Sequence, residues 1–135
     1  MNKKQWLGLG LVTVAAIGLA ACGNRASRKD SSDAKTDLKA AIVTDTGGVD
    51  DKSFNQSAWE GLQAWGKENG LSKDNGFTYF QSTSEADFAN NFSQAATNGY
   101  KLVYGVGYKL APAVTAAADE NADINYVIID SVVGD

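Results

Sequence analysis

A glycine-rich acidic segment, Asp45–Asn55, contains the residue types best suited to chemistry at a binding site. Its sequence, DTGGVDDKSFN, places glycines ahead of a helix-like stretch, as a phosphate-binding loop does. The spacing does not fit, because a Walker A loop requires G-x-x-x-x-G-K-[ST]. The charge does not fit either, since Asp45, Asp50 and Asp51 would repel a phosphate that only Lys52 could offset. The segment therefore argues against a phosphate site.

The sequence matches the patterns of metal and dinucleotide sites no better than that of a phosphate site. The three aspartates lack the D-x-D-x-D-G ladder of an EF-hand, and helix capping explains Asp50 and Asp51 more simply. Gly105 and Gly107 have the spacing of the first two glycines in the dinucleotide fingerprint G-x-G-x-x-G. The third glycine is missing, because Leu110 occupies its position. We expect neither a metal nor a cofactor.

The amino-acid composition excludes further classes of function. The 135 residues include no His, which excludes Ser-His-Asp and Cys-His relays, and one Cys, which cannot form an intramolecular disulfide. A formal net charge of −4 argues against binding to nucleic acid, which needs clustered Lys and Arg. We therefore expect a protein that binds a small ligand without catalysing a reaction.

Asp45 and Phe54 are the residues of this segment best suited to hold such a ligand. A carboxylate at the end of a strand accepts hydrogen bonds only, so Asp45 would select hydroxyl or NH donors. Phe54 could offer a flat face to an aromatic ligand, or it could pack as a hydrophobic staple at the start of a helix. On the residues alone the two interpretations of Phe54 are about equally supported.

The N-terminus predicts export. Lys3 and Lys4 precede an apolar run, Trp6–Ala21, that is short for a membrane-spanning helix and typical of a signal peptide. Leu19-Ala20-Ala21-Cys22 resembles the lipobox of bacterial lipoproteins, which predicts a signal peptide over 1–21 and a lipid on Cys22. Alternatives are a plain signal peptide with a chance Cys, or an uncleaved anchor. Residues 22–37 would form a flexible tether to the outer face of the cell membrane.

Residues 38–135 alternate between short apolar runs and amphipathic stretches. We predict strands at Lys39–Thr44, Phe77–Gln81, Leu102–Val106 and Tyr126–Asp130. Because these runs do not alternate in polarity and are separated by helices, they predict an α/β fold with a doubly wound parallel sheet. Ligands of such sheets bind beyond the carboxyl ends of the strands, where Asp45, Gly107 and Asp130 would lie.

Three helices should connect these strands. The first opens at Ser53, with Gln56 at capping-box spacing, and ends at Asn69-Gly70. The second opens at Ser84 with Asp87 at the same spacing, and the third carries Pro112 in its first turn. Apolar stripes on the first two would face the core: Ala58, Leu62 and Trp65 on the first, and Phe88, Phe92 and Ala95 on the second.

The string DTGGVDDKSFNQSAWEGL resembles the signature of the basic membrane protein family, which comprises bacterial substrate-binding lipoproteins of ABC transporters. The lipobox and the later segments GVGY and YVIID agree with it in order. Many members bind purine nucleosides between two α/β lobes of a type I periplasmic-binding-protein-like fold. The resemblance implies that residues 38–135 form part of the N-terminal lobe, and that the partners are a nucleoside and an ABC permease.

The resemblance also implies roles for individual residues. Asp45 would bind the edge of the nucleobase and Phe54 would stack on it, while Asn55 would add a polar contact or brace the loop. Asp130 would hold ribose hydroxyls. Backbone at two glycines, Gly105 and Gly107, would approach the ligand closely.

Two other functions remain open from the sequence. A nucleoside-processing hydrolase could use the clustered aspartates, although the chain lacks His and a ladder of metal-ligating carboxylates. Alternatively, the chain is a surface lipoprotein fragment that binds no ligand, because a single incomplete lobe cannot enclose most of a nucleoside.

Overall fold

Strands and helices alternate along the chain in the computed structural model, which describes residues 36–133. The strands are β1 (Ala40–Thr44), β2 (Phe77–Phe80), β3 (Leu102–Val106) and β4 (Asn125–Ile129). The helices are α1 (Phe54–Glu68), α2 (Phe88–Thr97) and α3 (Ala111–Glu120), the last two each preceded by a short 3-10 turn. The predicted order of elements is confirmed.

The four strands form one parallel sheet in the order β2-β1-β3-β4. Helix α1 packs on one face, where Trp59 and Leu62 meet Ile42 and Phe77. Helices α2 and α3 pack on the other face. A parallel sheet covered on both sides is the doubly wound α/β architecture that the sequence predicts.

One predicted helix cap is wrong and another is right. Ser53 makes no side-chain capping bond at α1, and the side chain of Gln56 instead donates to Glu60 at 2.8 Å. At the second site Ser84 and Asp87 do form a capping box, although it opens a 3-10 turn that leads into α2. The difference arises because the Asp51 carboxylate already occupies the N-terminus of α1.

The predicted ends of α1 and β4 have different outcomes. Gly70 adopts a φ of 68° and closes α1 with a Leu71 N–H to Gly66 carbonyl bond of 2.8 Å, as the Asn69-Gly70 pair predicts. Strand β4 ends at Ile129, one residue earlier than predicted, because Asp130 has a φ of 67° that no strand accommodates.

Within residues 36–133, no helix is long and apolar enough to cross a membrane. The predicted signal peptide, the lipidation site at Cys22 and most of the tether lie outside these described residues.

Candidate functional site

The carboxyl edge of the sheet brings three of the predicted site residues into one row. Thr44 pairs with Val106, and Val106 pairs with Ile129. The next residues along these strands are Asp45, Gly107 and Asp130. With neighbouring strands about 4.8 Å apart, Asp45 and Asp130 flank Gly107 at roughly 10 Å from each other.

The two oxygens of Asp45 have different surroundings. Its Oδ1 accepts hydrogen bonds from the Gly47 N–H at 2.8 Å and from the Asn55 amide at 2.7 Å. Its Oδ2 receives no hydrogen bond from residues 36–133 and faces Gly107. A half-buried carboxylate with one oxygen fixed and the other available is a well-oriented acceptor for a ligand donor.

Gly107 makes room beside that free oxygen. A Cβ at this position would lie 3.3 Å from Asp45 Oδ2, and the φ of 106° is one that other residues rarely adopt. Its N–H donates to the Ile129 carbonyl at 3.0 Å, which ties the row to the end of β4. The glycine at position 107 therefore keeps a side chain away from Asp45 Oδ2.

Gly105 lies within β3, and a different structural requirement explains why this residue is glycine. A Cβ on it would come within 2.7 Å of Val114 and 3.0 Å of Phe92, both in the core beneath α2 and α3. The predicted ligand-approach role is not supported by this placement. Close packing of helices on β3 accounts for the residue.

Asn55 is the buried brace of the site, with 2% of its surface exposed. Its amide nitrogen donates to Asp45 at 2.7 Å and to Asp51 at 2.8 Å. Its Oδ1 is buried without a hydrogen-bond partner among the described residues. Of the two predicted roles for Asn55, the geometry accords with bracing of the loop.

Asp51 lies next to the candidate site, linked to it through Asn55, and the sequence interpretation assigned it only to capping. It accepts from the backbone N–H groups of Ser53, Asn55 and Gln56 as well as from the Asn55 side chain. Partial burial alone would raise the pKa of Asp51, but these hydrogen bonds outweigh it and lower the pKa below its ordinary value of 3.8. Asp51 therefore stays charged at neutral pH and seals the N-terminus of α1 against anions.

Phe54 stands at the first residue of α1 with 54% of its surface exposed. It belongs to neither hydrophobic cluster of the described residues, so the staple interpretation has no packing to support it. Tyr108, which directly follows Gly107, is 64% exposed. The sequence interpretation did not use this second aromatic, although its place after a strand end could have indicated it.

A buried polar network supports the edge from below. The Ser82 hydroxyl donates to the Thr44 carbonyl at 2.7 Å, and the Asn91 amide donates to Ser82 at 3.0 Å. These bonds join the ends of β1 and β2 to α2, across 38 residues of chain in the case of Ser82 and Thr44. They tie the end of β1, from which the acidic loop projects, to the end of β2 and to α2.

An apolar groove of about 240 Å³ lies along the α1 face of the sheet and is lined by neither Asp45 nor Asp130. Its lining is mostly apolar, with Trp65 and Tyr104 as the two side chains that can form hydrogen bonds, so it suits a polar ligand poorly. Among residues 36–133 there is also no cluster of three side chains that could hold a metal ion. The acidic edge is the candidate site for a small neutral ligand.

Comparison with known proteins shows the family of the chain. Residues 38–135 match the Bmp family, described as ABC transporter substrate-binding protein PnrA-like. The chain belongs to this family. The resemblance found in the acidic segment is thus confirmed, and the role of a Bmp-family protein is substrate binding without enzymatic chemistry.

Two curated relatives show how much of such a protein this chain represents. The ABC transporter nucleoside-binding protein BmpA of Lactococcus lactis subsp. cremoris is 51% identical over 134 residues, which are 98% of this chain and 38% of that protein. The CD4+ T-cell-stimulating antigen of Listeria innocua serovar 6a is 44% identical over 139 residues, 100% of this chain and 39% of that protein. The chain therefore spans under two-fifths of the length of these relatives.

A solved structure supports the fold. An ABC transporter solute-binding protein from Aeropyrum pernix K1 superposes with a TM-score of 0.62 at 21% identity, covering 73% of this chain and 26% of that one. The α/β parallel-sheet prediction is confirmed both by the sheet itself and by this neighbour.

Proposed function

We propose that this Bmp-family chain supplies one side of a purine-nucleoside site in an ABC importer. The observation that carries the proposal is the free Oδ2 of Asp45, held in place through Oδ1 and opening onto the space left by Gly107. An NH donor of a purine base would satisfy this oxygen. The name of the Lactococcus lactis relative, a nucleoside-binding protein, supports the choice of ligand class.

The other edge residues would complete that side of the site. The exposed ring of Phe54 would stack on the base, since base–aromatic stacking contributes about 1–3 kcal/mol. The Asp130 carboxylate would accept from ribose hydroxyls at the far end of the row, and Asn55 would hold Asp45. Phosphate is disfavoured because the carboxylate of Asp51 already fills the N-terminus of α1.

Export and lipidation form the second part of the proposal. Residues 1–21 would direct export, and a lipid on Cys22 with a tether through residue 37 would keep the lobe at the outer face of the membrane. There it would deliver the nucleoside to an ABC permease. The lipobox LAAC and the basic, apolar leader support this part.

Nuclear magnetic resonance titration of the 135-residue protein with inosine, in mild detergent, tests the nucleoside site. We expect amide shifts to change at Gly47, Asn55 and Gly107. Asp45→Asn and Phe54→Ala should each weaken binding by about tenfold or more, because a charge-assisted hydrogen bond or a stacking contact is lost. The method suits the weak affinity expected of one side of a site.

Asp123→Asn is the matched control for the loss of a carboxylate. Asp123 forms an ion pair with Lys101 at the opposite edge of the sheet, just before β4, so its replacement should leave inosine affinity unchanged. Equal affinity of the parent, Asp45→Asn and Phe54→Ala would overturn the site assignment. Release of free ribose from inosine over time would support the hydrolase instead.

A further inference from the structure

The Asp51 carboxylate divides its two oxygens between two tasks. Its Oδ1 accepts the backbone N–H groups of Ser53 at 2.8 Å and Gln56 at 3.1 Å, which caps α1. Its Oδ2 accepts the backbone N–H of Asn55 at 3.2 Å and the Asn55 side-chain amide at 2.8 Å. Both oxygens therefore accept backbone N–H groups at the start of α1, and Oδ2 alone also holds the side chain of Asn55.

The orientation of the Asn55 amide depends on this second oxygen. The amide nitrogen lies between two carboxylates, 2.7 Å from Asp45 and 2.8 Å from Asp51. A rotated amide would direct its oxygen at both carboxylates, which repel it. Because Asn55 is only 2% exposed, water has little access to replace a lost partner.

Asn55 in turn determines which oxygen of Asp45 is available. Its amide and the Gly47 N–H are the two donors that hold Asp45 Oδ1. With Asn55 released, one donor would remain, and the Asp45 carboxylate could rotate away from the space beside Gly107. The bonds thus form a chain from Asp51 through Asn55 to Asp45.

From this geometry we infer that Asp51 is a positioning residue for the ligand, acting through Asn55 on Asp45 without touching the ligand itself. This inference rests on the proposed nucleoside function, because it assigns Asp45 as the ligand acceptor. It differs from simple helix capping, in which Asp51 would affect stability alone.

Asp51→Asn separates the two tasks. The variant's remaining side-chain oxygen can keep the place of Oδ1 and cap α1, whereas its NH2 group then faces the two Asn55 donors. We expect the fold to persist and the affinity for inosine to fall on the order of tenfold, as for other residues that orient a ligand-binding group. Affinity is measured by titration of the 135-residue protein with inosine.

Asp87→Asn is the matched control, because Asp87 is also a carboxylate that accepts backbone N–H groups, here in the capping box of the 3-10 turn before α2. It accepts from Thr83 and Ser84 and has no hydrogen bond to the Asn55–Asp45 chain. Its replacement should lower the stability of the fold. The affinity for inosine should stay within about twofold of the parent, which is on the order of the measurement error.

A double-mutant cycle provides the decisive readout. If Asp51 acts through Asn55, Asp51→Asn should have almost no further effect on inosine affinity in an Asn55→Ala background. An equal fold-loss in both backgrounds, or no loss in the parent background, would overturn the inference. Asn55→Ser provides the same test should the alanine variant not fold.

Hydrogen exchange of the Asn55 side-chain amide keeps this result distinct from failure of the proposed function. Asp51→Asn should accelerate that exchange while Asp87→Asn leaves it unchanged, whether or not inosine binds. Absence of inosine binding in the parent would count against the nucleoside function. Unchanged Asn55 exchange in Asp51→Asn would count against the positioning role.

Discussion

Asp45 shows how neighbouring residues orient a single carboxylate at this edge. A free carboxylate accepts from any donor that reaches it, but here two internal donors satisfy Oδ1 and leave Oδ2 toward Gly107. The acidic surroundings disfavour anions, and Lys109, which follows the end of β3, already pairs with Glu85 at 2.7 Å. A neutral ligand with NH or OH donors fits these charges.

The capping carboxylates predict how stability depends on pH. Hydrogen bonds from Thr83 and Ser84 lower the pKa of Asp87 below 3.8. The pKa of Asp51 is also lowered, because the hydrogen bonds that its carboxylate accepts outweigh the effect of burial. A lowered pKa in the folded state stabilises the fold above the unfolded pKa, and this contribution is lost as the pH falls through 3.8 toward the folded value.

Urea unfolding at about pH 6 and about pH 3 measures this effect. We expect the parent to lose stability across this interval, and Asp87→Asn to lose less, because an amide does not titrate there. Thr115→Ala is a control that removes an exposed helix hydroxyl and no carboxylate, so its pH dependence should match that of the parent. An equal loss in Asp87→Asn and the parent would contradict the assignment.

At the scale of elements, α1 joins the site to the core. It begins beside Asp51 and Phe54 at the carboxyl edge and ends in the left-handed turn at Gly70. Trp59 packs edge-on against Tyr79 with ring centroids 4.8 Å apart, and Gly66 lies directly against Phe77. The placement of the acidic loop therefore depends on how closely α1 approaches β2.

Two glycines of α1 provide a matched pair that tests this packing. A Cβ at Gly66 would lie 2.3 Å from the Phe77 ring, so Gly66→Ala should destabilise the fold by about 1–3 kcal/mol. Gly61 has nothing within 4 Å of the same position, so Gly61→Ala should stabilise the helix by about 0.5–1 kcal/mol. Chemical denaturation should show that the two variants change the free energy of unfolding in opposite directions. Stabilisation by both substitutions would contradict the close approach of Gly66 to Phe77.

At the scale of the whole molecule, the sheet is only partly enclosed. Among residues 36–133, helix α1 covers β4 less than the other strands, and on its side an apolar groove of about 240 Å³ opens and Val127 is 38% exposed. Curated relatives of the chain are longer, since it spans 38% of one and 39% of another. We accordingly propose only one side of the nucleoside site for this chain.

Attachment to the membrane is a prediction for the molecule as a whole. When the 135-residue protein is expressed in a bacterial host with an alkyne-bearing palmitate analogue, we expect label on the protein and recovery in the membrane fraction. Cys22→Ala should abolish the label, because the chain has no other thiol to carry the lipid. Label that persists in Cys22→Ala, or its absence from the parent, would contradict lipidation at this position.

The sequence predicted well what neighbouring residues specify. The alternation of strands and helices follows from hydrophobic periodicity, and the Asn69-Gly70 and Ser84–Asp87 signals act over a few residues. Ser53 failed as a cap because Asp51, two residues earlier, made the competing bonds. Asp130 failed as a strand residue because its backbone is left-handed, and the sequence did not indicate that conformation.

The sequence by itself determined the α/β class, the row of polar strand ends and the family resemblance, because these depend on local order along the chain. Only the tertiary structure decided that Asn55 braces Asp45, that Gly105 serves the core and that Gly107 faces the free oxygen. In each case the two partners are far apart in the sequence. They are separated by ten or more residues, or by nine in the case of Gly105 and Val114. The physical reason is that sheet pairing and helix packing, rather than sequence spacing, set the distances between such groups.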